Sequence, residues 1–149
     1  MTRLGRIVHG LALATVLVGS SAAVYADDQD VIDYRRHIMK TMGEQAASIG
    51  MILQQKAPAD NFATHVKILA VTAATAKKAF EPKVQGGDAK PEVWSNWADF
   101  SKKMDALVAA TDDLAKTAAS CGLAAAQPKV QSALTCKGCH DMYRVPPKK

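Results

Sequence analysis

The chain has 149 residues, 48% hydrophobic and 5% aromatic, with 19 basic against 14 acidic side chains. That length makes one domain of ordinary size and excludes a multidomain enzyme. A net charge of +5 is too small and too scattered to argue for nucleic-acid binding.

The opening "MTRLGRIVHGLALATVLVGSSAAVYADDQD" has the three parts of an export signal. Arg3 and Arg6 give a positive start, Leu11 to Val18 a short apolar run, and "AVYA" the small residues before an acidic stretch. The apolar run is far shorter than the roughly 20 residues that span a bilayer, and no later segment is apolar enough to do so. The expectation is cleavage after Ala26 and a soluble, periplasmic domain over 27–149. That domain keeps 17 basic and 14 acidic residues, a net +3.

Ala, Lys, Gln and Met dominate the remainder, and β-branched runs are scarce, which favours helix. A first amphipathic helix carries Val31, Arg35 (by its stem), Ile38, Met42, Ala46, Ile49 and Leu53 on one face, with Asp28 or Asp30 as cap and Pro58 beyond its end. A second runs from about Asn61 to Phe80, with Phe62, Val66, Leu69, Ala73, Ala76 and Phe80 in register, and Glu81-Pro82 stops it. The glycine-bearing loop "KVQGGDAK" follows. Pro91 opens a third helix, with Asp88 as candidate cap, carrying Val93, Trp97, Phe100, Met104, Leu107 and Leu114. After "CGLAAAQP" a fourth runs from about Lys129 to Tyr143, ended by Pro146-Pro147. No strand pattern is present. Four helices with mostly short links predict an all-α, antiparallel up-down-up-down bundle. Its apolar faces are rich in alanine, as though a bulky apolar ligand completes the core.

The fourth helix contains "LTCKGCHDMYR". On a helix, Cys136, Cys139 and His140 stand at i, i+3 and i+4 and share one face. Two thiols placed so can add to the vinyl groups on one edge of a porphyrin, leaving an imidazole beneath the iron. This spacing is that of covalent haem c attachment. A redox-active dithiol or disulfide is the first competitor, but that motif usually opens a helix beside a sheet. Half a zinc site is the second, but Cys121 is the only other thiol, and His37 and His65 lack finger-like spacing. Cys121 itself reads as a small buried hydrophobe near a helix end.

With "DYRRHIMKTMG" on the first helix and "GGDAKPEVWSNWADF" entering the third, the C-terminal "CKGCHDMYR" makes essentially the whole mature chain resemble the cytochrome c′ family. These class II c-type cytochromes are themselves a standard example of such a bundle. The resemblance implies one covalent haem, with Cys136 and Cys139 as its thioether carriers and His140 as the proximal metal ligand. It implies that Arg144 lies near the proximal face and Arg35 at the haem edge beside a propionate, where a guanidinium suits a carboxylate. It also implies a homodimer through the first two helices in many members, and monomers in others.

Four positions beyond Arg35, many members have leucine as an apolar lid over an open, gas-binding iron. This chain has Met39, whose thioether is a soft iron donor; Met/His ligation gives a low-spin centre suited to electron transfer. Met42 is a rival donor one turn on, while Met51 and Met104 read as core. The leading expectation is a periplasmic electron carrier, not an enzyme, serving redox partner proteins, with His140 and Met39 as metal ligands. The alternative is a five-coordinate haem that binds nitric oxide or other diatomic gases.

Overall fold

The structure is a computed structural model that describes residues 27–147. The expected export signal therefore lies outside the described residues. Helix α1 spans Asp28–Leu53. Its cap is Asp27, not Asp28 or Asp30: the Asp27 carboxylate accepts the Asp30 N–H at 2.8 Å. Asp28 and Asp30 lie inside the first turn, where their charge still complements the helix dipole. Gln55, at φ 58°, turns the chain before Pro58. Arg35, Ile38, Met42, Ile49 and Ile52 form the buried face. Ile52 takes the place expected for Leu53, which is half-buried, because the stripe drifts around the helix.

A 3₁₀ turn over Ala59–Asn61 leads into α2, Phe62–Ala76, and a second over Lys77–Phe80 tightens its end. All six positions expected to face inward are buried. Next come a short α3, Glu92–Ser95, then α4, Trp97–Ala133, and α5, Cys136–Tyr143. Asp88 is not a cap: α3 begins after Pro91 with no side-chain capping bond, and Asp88 instead faces Arg36 at 3.7 Å.

The last boundary expected from sequence is displaced. α4 bends at Gly122, inside the expected link 121–128, and the arm that follows starts before Lys129, so that Pro128 lies within it. Gly122 sits at φ 76°, ψ −175°, a region that essentially only glycine occupies. Lys129 closes this hairpin, its Nζ 2.7 Å from Asp113 and 3.0 Å from Thr117 across the bend. The cysteine motif does not continue the fourth helix either. Non-helical Leu134 and Thr135 separate it as α5.

Helices α1 and α2 and the two arms of α4, 97–121 and 123–133, make the antiparallel four-helix bundle. α2 packs against both α1 and α4, while α1 and α4 scarcely approach each other. Ile49, Val66, Leu114, Ala73, Ala76 and Ala126 are wholly excluded from solvent. Thr111, not expected inside, is also buried, its hydroxyl donating to Leu107 O at 2.8 Å, which satisfies the polar group. Met104 is core as expected, but Met51 is 49% exposed on the outer side of α1. Among the described residues no helix is long and apolar enough to cross a membrane. Gly122→Ala is expected to destabilise the protein by about 1–3 kcal/mol through backbone strain alone, since nothing crowds a Cβ there. A lowered denaturant midpoint of the haem-loaded protein checks this.

Candidate haem-attachment site

An eight-residue helix is too short to be stable by itself, so α5 depends on what it touches. Only Tyr143 of its residues is buried. The phenol donates to Asp99 Oδ2 at 2.6 Å and accepts from Asn96 Nδ2 at 3.2 Å, tying α5 to the start of α4. Its ring meets Phe100 edge-on at 5.3 Å, and Phe100 lies 5.1 Å from Phe80 and 5.6 Å from Trp97. Two backbone hydrogen bonds fasten the end of the helix, Lys90 N–H to Tyr143 O at 3.0 Å and Val145 N–H to Asp88 O at 2.8 Å, and together they form an antiparallel bridge between Ala89 and Arg144. Lys90 Nζ also reaches Asp141 O, at 3.1 Å.

The same loop is held from the other side by α1. Arg35 is 3% exposed, and its guanidinium donates to Val84 O at 2.8 Å and Gly86 O at 3.3 Å. It lies over the rings of Trp94 and Phe80, at 5.1 and 5.5 Å. Trp94 in turn donates to Phe80 O at 2.9 Å. Gly87, at φ 63°, is required where the loop meets α1, because a Cβ there would come within 2.8 Å of Ile32. Arg35 is thus joined, through Phe80 and Phe100, to Tyr143 and the end of the bundle that carries α5.

On α5, Cys136 is exposed, and Cys139 and His140 are half-buried; both thiols are free. Burial raises the Cys139 thiol above its usual range, partly opposed by the charge of Lys103. Burial, and then the Arg144 charge, lower His140 below the usual imidazole value, favouring the neutral ring that binds metals. Arg144 is exposed just past the helix end. Lys137 pairs with Asp141 on the outer face. Met39 is half-buried against the core, one turn after Arg35 on α1, whereas Met42 is buried within the core. His37 is exposed, and His65 bonds Gln45 at 2.8 Å. Cys121 is exposed beside the Gly122 bend, correcting the expectation of burial.

Two features fit a haem on these residues. Free thiols and a neutral-leaning imidazole share one helix face. The buried Arg35 cation has carbonyls and ring faces around it but no carboxylate partner among the described residues, and a buried positive charge is favourable near an anion. Sequence reasoning passed over Asn96, Asp99 and Lys103. Nothing in the linear pattern links them to Tyr143, although an aromatic residue one turn past His140 was a signal that this turn is anchored.

A four-helix bundle followed by a short helix that carries Cys-x-x-Cys-His defines a c-type cytochrome of the bundle class. The profile described as Cytochrome C' matches residues 30–144, and the chain belongs to the cytochrome c′ family. Cytochrome c′ of Alcaligenes xylosoxydans xylosoxydans is 33% identical over 127 residues, covering 80% of this chain and 97% of its own. That of Rhodopseudomonas palustris is 35% identical over 145 residues, covering 87% and 90%. Among solved structures, the nitrosyl complex of a cytochrome c prime variant from Alcaligenes xylosoxidans has a TM-score of 0.74 at 28% identity, covering 81% of this chain and 99% of that one. A nitric oxide complex of another variant has 0.69 at 31%, covering 82% and 99%. The family is one of haem c proteins.

The Tyr143 phenol is pushed up to about 12 from an ordinary 10.0, by burial first and then by its bond to Asp99. The hydrogen bond to Lys103 first, then that to Tyr143, lower Asp99. A raised tyrosine value contributes stability that is complete below the unfolded value and lost as pH rises through the folded one. Stability is therefore expected to fall as pH rises from 10 towards 12. Tyr143→Phe should remove that part of the fall, as read by urea unfolding at each pH.

Proposed function

We propose that this chain is an exported, periplasmic cytochrome c′ with one covalent haem whose iron binds nitric oxide and related diatomic gases. The observation that carries this reading is that similar structures of the family, at 28% and 31% identity, are nitric oxide complexes. Cys136 and Cys139 would hold the porphyrin as thioethers, and His140 would supply the proximal nitrogen. Arg144 would stand near that face, and Arg35, the buried cation without a carboxylate, would face a propionate. Met39 would cover the distal side as an apolar lid. A haem so held would supply an iron able to bind a small gas. The role is binding rather than catalysis, since a thioether over the iron offers no acid–base group.

Exposed Met51, Ile68 and Val71 on α1 and α2 are consistent with a homodimer through those helices. A second reading keeps the electron carrier and its redox partner proteins. It is favoured by Met39 itself, a half-buried sulfur on the same face of α1 as Arg35. Iron held by both His140 and Met39 would be low-spin.

Absorption spectra of the purified protein, oxidised and reduced, with and without carbon monoxide, separate the two. A high-spin spectrum with ready carbon monoxide binding, little changed in Met39→Leu, is expected. A low-spin spectrum that ignores the gas, and becomes gas-sensitive in Met39→Leu, would replace gas binding with electron transfer. Cys136→Ala and Cys139→Ala should each leave one thioether, and the double variant should release all haem into acidified organic solvent.

A further inference from the structure

α5 has one buried anchor, and that anchor is a turn away from His140. Its connection to α4 passes through Leu134 at φ −100°, ψ 47° and Thr135 at φ −78°, ψ 35°, neither of which is helical. No side chain caps its start. Rotation or tilt of the short helix about this joint would carry the imidazole with it. What opposes such motion is the far end, where the Tyr143 phenol is fixed by Asp99 at 2.6 Å and Asn96 at 3.2 Å. Asp99 is itself held by Lys103, with Nζ 2.6 Å from Oδ2. The anchor point is therefore a three-residue network on α4 and its cap, not a single contact.

We infer that the Tyr143–Asp99 hydrogen bond is a latch that fixes how α5 presents His140, making Tyr143 and Asp99 positioning residues for the axial imidazole. This rests on the reading of His140 as the axial ligand. Groups that orient a metal ligand tune the metal as well as the ligand. An imidazole held by a fixed helix cannot follow the iron freely when a gas binds opposite, so the latch restrains gas affinity. Releasing it leaves that end of α5 held only by its backbone bonds to residues 88–90 and by the ring of residue 143 on Phe100, so that the helix can tilt further about the 134–135 joint. A hydrogen bond to a charged acceptor is among the stronger neutral-donor interactions, so its loss should be measurable.

The test uses the haem-loaded protein and compares wild type with Tyr143→Phe, which keeps the ring, and Asp99→Asn, which keeps an acceptor but not the charge. Carbon monoxide affinity, reduction potential and amide hydrogen exchange across 136–143 are measured together. Tyr143→Phe is expected to raise carbon monoxide affinity by roughly tenfold, shift the potential, and speed exchange in α5. Asp99→Asn should give a smaller change of the same sign, and the double variant no more than Tyr143→Phe alone. Unchanged affinity and potential in a folded Tyr143→Phe protein, even one of lower stability, would overturn the latch and leave Tyr143 a packing residue. Should that variant not fold, unchanged values in Asp99→Asn overturn it equally. If wild type carries no haem, or keeps its spectrum in His140→Ala, the ligand assignment fails instead, and this is seen before the latch variants are compared.

Discussion

The two thiols and the imidazole stand on an eight-residue helix that cannot hold its own place. Helix formation needs several turns before its hydrogen bonds outweigh the cost of nucleation, and α5 offers two. Its geometry is therefore set from outside, by the Tyr143 phenol on Asp99 and by the backbone of residues 88–90 against 143–145. Each of those supports has its own support in turn. Asp99 is paired with Lys103, and the loop is drawn onto α1 by the Arg35 guanidinium. Four parts of the chain distant in sequence converge on one end of the bundle.

A core this poor in large side chains makes that convergence consequential. Ala73 and Ala76 on α2 and Ala126 and Ala133 on the later arm of α4 are buried, and small residues permit close approach of helices but contribute little apolar area each. The largest concentration of aromatic surface is the chain Phe80, Phe100, Trp97 and Tyr143, with Trp94 beside it, and it lies at the α5 end. Aromatic pairs add to simple burial, and a cation above their faces adds again. The aromatic packing thus gathers at the end of the bundle that carries α5, whereas Cys121 and Gly122 turn the chain in solvent.

Membership of the cytochrome c′ family establishes a haem c bundle, and under the function proposed here the choice between capturing a gas and passing an electron falls to the Met39 sulfur. A leucine in place of Met39 could only cover the iron; a thioether can cover it or bind it. His140 leans toward its neutral form because of burial and the charge of Arg144, and on the inferred latch it is the Tyr143 hydrogen bond one turn on that restrains its helix.

Periodicity and punctuation in the sequence determined the helices that bury one face. All five inward positions of α2, and Phe80 in the turn after it, were legible, as was most of α1, because a 3.6-residue repeat of apolar side chains has one stable solution. The Cys-x-x-Cys-His spacing determined that these three side chains share a face, because helical geometry is local. The turn of α4 lies within the expected link 121–128, but it takes only Gly122, whose conformation no other residue tolerates well, so the last arm starts earlier than Lys129 and includes Pro128. Only the tertiary structure decided that α5 is a separate helix, that Asp88 faces Arg36 instead of capping, and that Tyr143 is bound by Asn96 and Asp99. Those contacts join residues more than 40 positions apart, and no short-range pattern encodes which distant polar group a buried hydroxyl will meet.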